Sequence, residues 1–314
     1  MENTSAIDIK DLHKDFGEVY AVQGVDFQVG RGEVFSLLGP NGAGKSTTIS
    51  MIAGLLRPTR GEVFVTGHSV QRAPQAVKKA IGVVPQEIAL YEDLSATENL
   101  TFWGKMYGLR GKALQQRVTE VLAIVGLSER RKGRVEKYSG GMKRRLNIGI
   151  ALLHQPEVII MDEPTVGIDP QSRRNILDSV KQMNAAGMTV LYTTHYMEEA
   201  QELSDHIAIM DHGKIIALGT HAELVKIVGQ LDRIELTINT PSEQVVPTWK
   251  SIAGVRQVSA DNGTLCVLAD DSNQVLPLLF EGANQVATRI TSVEIQEPNL
   301  EAVFLHLTGR ALRD

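Results

Sequence analysis

The sequence has one cysteine, Cys266, in 314 residues, and aromatic side chains make up only 5% of it. A single thiol excludes a disulfide framework and a cysteine-rich zinc site. No stretch approaches the roughly 18 consecutive apolar residues that a spanning helix needs. The first ten residues carry acids and polar groups rather than a basic segment followed by an apolar one, so no secretory signal is expected. An excess of one charge is also missing. The 32 basic and 37 acidic side chains leave a net charge of −5, which argues against a nucleic-acid binder. What is left is a globular protein expected in a reducing cytoplasm. Its 43% apolar residues can build sizeable cores, and its length suits two domains of roughly 100–200 residues each.

The charge is unevenly placed. Residues 230–314 hold 6 basic and 11 acidic side chains and account for the whole imbalance, whereas residues 1–229 are neutral. A local excess lies between Arg130 and Arg145, with eight basic residues and one acid, Glu136. For Lys143, Arg144 and Arg145 the plain expectation is a solvated helix surface.

Strand and helix signals organise the first part of the chain. Ala6 to Lys10 and Tyr20 to Val29 alternate with period two, and Glu33 to Leu38 is a short apolar run. Lys45 to Leu56 reads as a helix. A helical block follows at about 95–155, with Leu100, Trp103 and Tyr107 spaced by three and four, and a helix opening at Gly140. Glu157 to Met161 is an apolar strand suited to a sheet covered on both faces. Strands and helices then alternate to about Leu218, an α/β pattern with a mostly parallel sheet. After Gly229 the pattern resets. Strands at Asp232–Asn239, Val255–Ala260, Gly263–Ala269 and Ala287–Gln296 enclose helices at Pro241–Ile252 and Ser272–Gly282. This βαββαβ order is that of a ferredoxin-like unit. A last helix, with Pro298 at its start, carries Leu300, Val303, Phe304 and Leu307. The C-terminal unit has no catalytic constellation: Cys266 and Trp249 read as core side chains, and His306 as helix surface or packing.

Gly39, Pro40, Asn41, Gly42, Ala43, Gly44, Lys45 and Ser46 match the eight-residue P-loop pattern, between an apolar strand and a helix. The glycines let successive backbone N–H groups face one concavity, and the helix N-terminus adds positive potential there. Lys45 can reach β- and γ-phosphates, Ser46 can place its hydroxyl on Mg²⁺, and Thr47 can support the α-phosphate. The apolar strand before Asp162 and Glu163 puts two carboxylates at a strand's C-terminal end, where ligands bind in open α/β sheets. Asp162 would hold Mg²⁺ through water, and Glu163 could polarise an attacking water.

Tyr138 to Arg145, with Ser139, Gly140 and Gly141 opening a helix, resembles the signature of ATP-binding-cassette (ABC) ATPases. Further residues fall in that family's order from about 5 to 225. Gln86 stands at the Q-loop position, as a ligand of Mg²⁺ or of the attacking water. Gly167 to Asp169 resembles the D-loop, and His195 the switch histidine. Phe16 stands where an aromatic stacks on adenine, with Tyr20 as the competing ring. Asp169 reads equally as a helix N-cap before Pro170 and as a contact across a dimer interface.

The resemblance implies a P-loop NTPase (RecA-like) α/β core with antiparallel β and helical subdomains, plus a small α+β ferredoxin-like C-terminal domain at 230–314, for which a dimerising or regulatory role is expected. It further implies ATP and Mg²⁺ as ligands, ATP hydrolysis, and a homodimer in which each signature completes the other copy's site. A separate polytopic membrane-spanning permease would hold the chain at the inner face of the membrane, with no nucleic-acid partner. The interval from Gly39 to Tyr138 is too short for the long coiled coil of DNA-repair members, and one cassette per chain disfavours the translation-factor members. The Tyr-Ser-Gly-Gly-Met form of the signature and the segment from Asn299 to Gly309 are similar to bacterial ABC-2-type exporters, including daunorubicin-resistance-like ATPases. Export is therefore expected. A regulatory ABC protein without transport, or an importer ATPase, is the alternative.

Overall fold

The computed structural model describes residues 5–228, 231–239, 242–261, 264–296 and 299–308. Gly229, Pro241, Gly263, Pro298 and Gly309, where the sequence suggests boundaries, lie outside them. The chain divides into two compact units between His221 and Ala222, a few residues before the change in charge and strand pattern.

The first unit runs through β1 (Ser5–Phe16), β2 (Val19–Gly30), β3 (Val34–Leu38), α1 (Lys45–Ile52), β4 (Arg60–Val65), β5 (His68–Ser69), α2 (Pro74–Ala80) and β6 (Ile81–Val84). The helical block comprises α3 (Ala96–Met106), α4 (Gly111–Ile124) and α5 (Gly140–Leu152). Then follow β7 (Val158–Asp162), α6 (Pro170–Ala185), β8 (Thr189–Thr194), α7 (Met197–Leu203), β9 (His206–Asp211) and β10 (Lys214–Gly219). Helix α1 stops at Ile52, short of the expected Leu56, and α2 was not expected.

Six strands form the central sheet in the order β10-β9-β3-β8-β7-β6. All neighbours are parallel except β10, which returns antiparallel on β9. An antiparallel sheet has the order β2-β1-β4-β5. The central sheet has a core on each face, and β7 shows why its sequence is apolar from Val158 to Met161. Ile159 and Met161 join the core that holds Leu100, Val121 and Leu146 of the helical block. Val158 and Ile160 join the core of Ile9, Phe27, Phe35 and Ile52. Successive side chains point to opposite faces, so a strand buried on both must be apolar at every position. Helix α3 starts with a capping box: Ser95 Oγ accepts from Glu98 N, and Ser95 N donates to the Glu98 carboxylate at 2.8 Å.

At the division lies α8 (His221–Val225). The second unit continues with β11 (Asp232–Ile238), α9 (Ser242–Lys250), β12 (Val255–Asp261), β13 (Thr264–Ala269), α10 (Ser272–Gln285), β14 (Ile290–Gln296) and α11 (Leu300–Thr308). Its sheet has the order β12-β13-β11-β14 with every neighbour antiparallel, the ferredoxin-like arrangement. Leu265, Val267 and Ala269 of β13 are buried in its core. Cys266 alternates to the other face and is half-buried, so it is not the core side chain its strand suggested. Trp249 is fully buried, and its indole N–H donates to the Leu279 carbonyl at 2.9 Å. His306 is exposed. Among the described residues, no helix is long and apolar enough to cross a membrane.

Trp249→Ala removes the largest buried side chain of this core and is expected to destabilise the second unit by about 3–5 kcal/mol. The measurement is the denaturant midpoint, followed by a probe within residues 231–308.

Candidate functional site

Parallel pairing brings four loops to one edge of the central sheet. Leu38 at the end of β3 is opposite Thr194 of β8, Thr193 is opposite Asp162 of β7, and Met161 is opposite Val84 of β6. The glycine loop after β3, the acid pair on β7, His195 after β8 and Gln86 after β6 therefore leave the sheet side by side.

The glycine loop is anchored on both sides. Ala43 N donates to the Pro40 carbonyl at 3.1 Å, and Gly213 N, in the turn between β9 and β10, donates to the Ala43 carbonyl at 2.9 Å. Gly44 has φ 104°, and a Cβ there would stand 2.5 Å from the Ala21 carbonyl of β2, so only glycine fits. Asn41 and Gly42 are exposed, and Thr47 is half-buried. The loop delivers the first amides of α1 at the sheet edge, where they lack intrahelical acceptors.

Lys45 is buried. Its Nζ donates to the carbonyls of Gly39 at 2.7 Å and Pro40 at 3.2 Å, and pairs with Glu163 Oε1 at 2.9 Å. Ser46 Oγ donates to Asp162 Oδ1 at 3.2 Å, and Thr193 Oγ1 donates to the same oxygen at 2.7 Å. Glu163 sits at φ 44°, in the left-handed region that side chains rarely adopt. Its amide donates to Thr193 Oγ1 at 2.9 Å, which helps to hold this turn. The other carboxylate oxygen of Glu163 lies 3.4 Å from His195 Nδ1. Lys45, Ser46, Asp162, Glu163 and His195 thus form one constellation around two buried carboxylates.

The Gln86 side chain is exposed, and it is the backbone of this residue that is gripped. Arg144 Nη1 donates to the Pro85 carbonyl and Nη2 to the Gln86 carbonyl, each at 2.7 Å. This overturns the solvated-surface expectation. Arg144 is 3% exposed. Arg145 is half-buried and donates to the Val125 carbonyl at the end of α4. Lys143 pairs with Glu92. Burial lowers the pKa of Arg144 from the ordinary guanidinium value, and it stays cationic at neutral pH. The exposed cations of the cluster are Arg130, Arg131, Lys132, Arg134 and Lys137.

Ser139 caps α5, its hydroxyl accepting from Met142 N at 3.2 Å. Ser139 and Gly140 are exposed. A Cβ on Gly141 would meet the Ser172 side chain at 2.1 Å, so the start of α5 can lie this close to α6 only because residue 141 has no side chain. Asp169 caps α6, accepting from Ser172 N at 2.9 Å. That amide, with the Ser172 hydroxyl, holds the Asp169 carboxyl below the usual carboxylate range. Phe16 is 51% exposed at the end of β1 with Lys14 Nζ 5.0 Å from its ring centre, and Tyr20 across the hairpin is 63% exposed. The motif series therefore splits in two. Lys45 and His195 meet at Glu163 and Ser46 meets Asp162 beside it, whereas Phe16, Ser139, Gly140 and Asp169 present exposed groups.

Two contributing residues escaped the sequence reading. Thr193 bridges Asp162 and the Glu163 amide, and its only signal was its place before His195. Arg144 was hidden in a run of cations, where nothing local distinguishes a buried guanidinium from a solvated one.

A family model described as "ABC transporter" matches residues 22–166. The linearmycin resistance ATP-binding protein LnrL of Bacillus subtilis is 49% identical over 97% of this chain and 99% of its own length. The daunorubicin resistance ATP-binding protein DrrA3 of Streptomyces coeruleorubidus is 37% identical over 97% of this chain and 96% of its own. The Nod factor export ATP-binding protein I of Cupriavidus pinatubonensis is 37% identical over 99% and 93%. Among solved structures, the ATP-binding subunit of an ABC transporter superposes with TM-score 0.64 at 32% identity, over 72% of this chain and 94% of that one. A dimeric post-hydrolysis state of an ATP-binding cassette bound to ADP and Pi superposes with TM-score 0.61 at 28% identity, over 68% and 98%.

Arg144→Met keeps the aliphatic bulk but leaves the Pro85 and Gln86 carbonyls without their charged donor. It is expected to cost about 3 kcal/mol of stability, two charge-assisted hydrogen bonds being lost and repaid only in part by water. Urea denaturation measures this, and faster proteolysis in the segment after Pro85 should accompany it.

Proposed function

Because the chain belongs to the ABC transporter family, as an ATP-binding and ATP-hydrolysing subunit of the exporter type, we propose that it closes as a homodimer around two ATP molecules and so drives a separate membrane-spanning permease. The observation that carries this reading is the constellation of Lys45, Ser46, Asp162, Glu163 and His195 at one sheet edge. Each chain has one P-loop, one signature and one acid pair, so a complete site needs a second copy. Neither the importer nor the regulatory alternative is favoured by the exporter-type relatives.

In this reading Phe16 presents its ring to adenine. The amides of Gly39 to Gly44 and the start of α1, with Thr47, cradle the phosphates. Lys45 exchanges the Gly39 and Pro40 carbonyls and Glu163 for β- and γ-phosphate oxygens. Glu163, no longer paired to Lys45, accepts a hydrogen bond from the attacking water and orients it in line with the γ-phosphate. His195, 3.4 Å from Glu163, steadies the charge that develops on the phosphoryl oxygens. Ser139, Gly140 and Gly141 of one copy, with Asp169, face the nucleotide held by the other. The exposure of Ser139 and Gly140 supports this, since a contact made inside one chain would bury them.

Ser46 Oγ and an Asp162 carboxylate oxygen are hard donors 3.2 Å apart. One carboxylate with substrate phosphates is the usual Mg²⁺ environment, so these residues fit the ion, with Gln86 as a further ligand. Bound there, Mg²⁺ would offset phosphate charge.

Phe102 and Met106 on α3 and Tyr91 in the segment before it are exposed, and the Tyr91 and Phe102 rings meet edge to face at 4.9 Å. An apolar patch of this kind suits burial by a partner's helices. It is assigned to the permease, which would hold the chain at the cytoplasmic face of the membrane. The C-terminal unit is assigned a dimerising or regulatory role.

Glu163→Gln is expected to bind ATP normally, to turn over at least roughly a hundredfold more slowly as expected for loss of a general base, and to accumulate as a closed dimer. Single-turnover hydrolysis and light scattering read both effects, and unimpaired turnover would remove Glu163 from its role. Lys45→Met and Ser139→Tyr proteins should each be inactive alone. Mixing them should restore ATP hydrolysis, because a mixed dimer carries one site with both residues intact. No restoration on mixing would count against the shared-site dimer.

A further inference from the structure

Beyond the two carboxylates of the constellation lies a third buried one, which the proposed reaction does not use. Glu199, on α7, is 2% exposed. Its Oε2 accepts three hydroxyls, from Tyr192 at 2.9 Å, Thr194 at 3.0 Å and Thr165 at 3.0 Å. Its Oε1 faces Arg173 Nε at 3.5 Å. Thr165, Tyr192 and Thr194 are themselves buried. A buried carboxylate is tolerated where it is paired and hydrogen-bonded, and Glu199 is both. Burial, and next the charge of Glu199, raise the Tyr192 pKa well above its ordinary value, so the phenol remains a donor.

The partners of Glu199 come from three segments. Thr165 is two residues beyond Glu163, in the turn that leads to Asp169. Thr194 immediately precedes His195, and its hydroxyl also accepts from Tyr196 N at 2.9 Å. Arg173 lies on α6, the helix that Asp169 caps, and its guanidinium carbon is 4.1 Å from the Tyr196 ring centre. The Tyr196 ring lies 4.2 Å from the His195 ring. One oxygen atom thus ties the segment after Glu163 to the segment before His195, and the other faces α6.

We propose that Glu199 is a positioning residue, which sets Glu163 and His195 at their working separation through Thr165 and Thr194 and links both to the Asp169 segment through Arg173. This rests on the assignment of Glu163 and His195 to hydrolysis. Its physical basis is that hydroxyls converging on one acceptor cannot shift independently. Releasing one lets its segment drift, and a drift of about 1 Å at reacting groups can cost roughly a hundredfold in rate.

The test uses the full chain with Thr165→Val, Thr194→Val, Tyr192→Phe, Glu199→Gln and Glu199→Ala. The first three each remove one hydroxyl with little change of shape. Glu199→Gln can keep an oxygen toward the hydroxyls but loses the ion pair with Arg173. Turnover, ATP affinity by a fluorescent analogue, and the ring signals of isotopically labelled His195 are measured, with His195→Ala assigning those signals. The expected result is a fall in kcat of roughly tenfold to a hundredfold for Thr165→Val and Thr194→Val, with ATP affinity kept and the His195 signals moved. Glu199→Gln should be milder than Glu199→Ala. Unchanged kcat and unmoved His195 signals in folded Thr165→Val and Thr194→Val proteins would overturn the proposal, as would loss of kcat only in step with loss of folded protein. Glu163→Gln and His195→Ala run alongside. If those two keep full turnover, the underlying assignment fails; if they lose turnover while the hydroxyl variants do not, only the role of Glu199 fails.

Discussion

Parallel hydrogen bonding between β3, β8 and β7 is the constraint on which the site depends. With Leu38 opposite Thr194 and Thr193 opposite Asp162, three strands from distant parts of the chain end at the same level. The glycine loop, the acid pair and His195 are then neighbours. A slip of one residue in β7 would move Asp162 and Glu163 each to the other face, away from Thr193, and would exchange the side chains that Val158 to Met161 send into the two cores. The two cores that share β7 therefore hold the register, and the register holds the site.

Charge balance at that edge is local. Lys45 and Glu163, both buried, pair at 2.9 Å, and neither would be tolerated there alone. The pair also leaves each group within reach of other partners, since Lys45 keeps two carbonyls and Glu163 keeps His195. Arg144 works in the same way a little further out. It satisfies two backbone carbonyls where β6 ends and lies on the helix that Ser139 caps. The segment carrying Gln86 and the helix carrying the signature are thereby joined within one chain.

Much of the site was legible in the sequence. Glycine spacing is a covalent property, so the P-loop could be read directly, and an apolar run ending in two acids reads as the end of a buried strand. The ferredoxin-like order of the second unit followed from alternation alone, and the strand order β12-β13-β11-β14 adds the pairing. Less legible were side chains whose role depends on what faces them. Arg144 looks like its neighbours Lys143 and Arg145, yet only its guanidinium is buried against Pro85 and Gln86. Cys266 sits in an alternating strand, and its face could be settled only once Leu265 and Val267 were seen to point inward.

By itself the sequence singled out candidate residues for phosphate, metal and water, because backbone freedom at glycine and the chemistry of lysine, serine and carboxylates are local. It also determined the unequal charge of its two parts. Only the tertiary structure decided that Thr193 bridges Asp162 and Glu163, that Arg144 grips a loop distant in sequence, and that Glu199 gathers three hydroxyls on one oxygen. Each of these is a hydrogen bond between residues far apart along the chain or on different elements. Such bonds exist only after the strands have paired in register and the cores have excluded water.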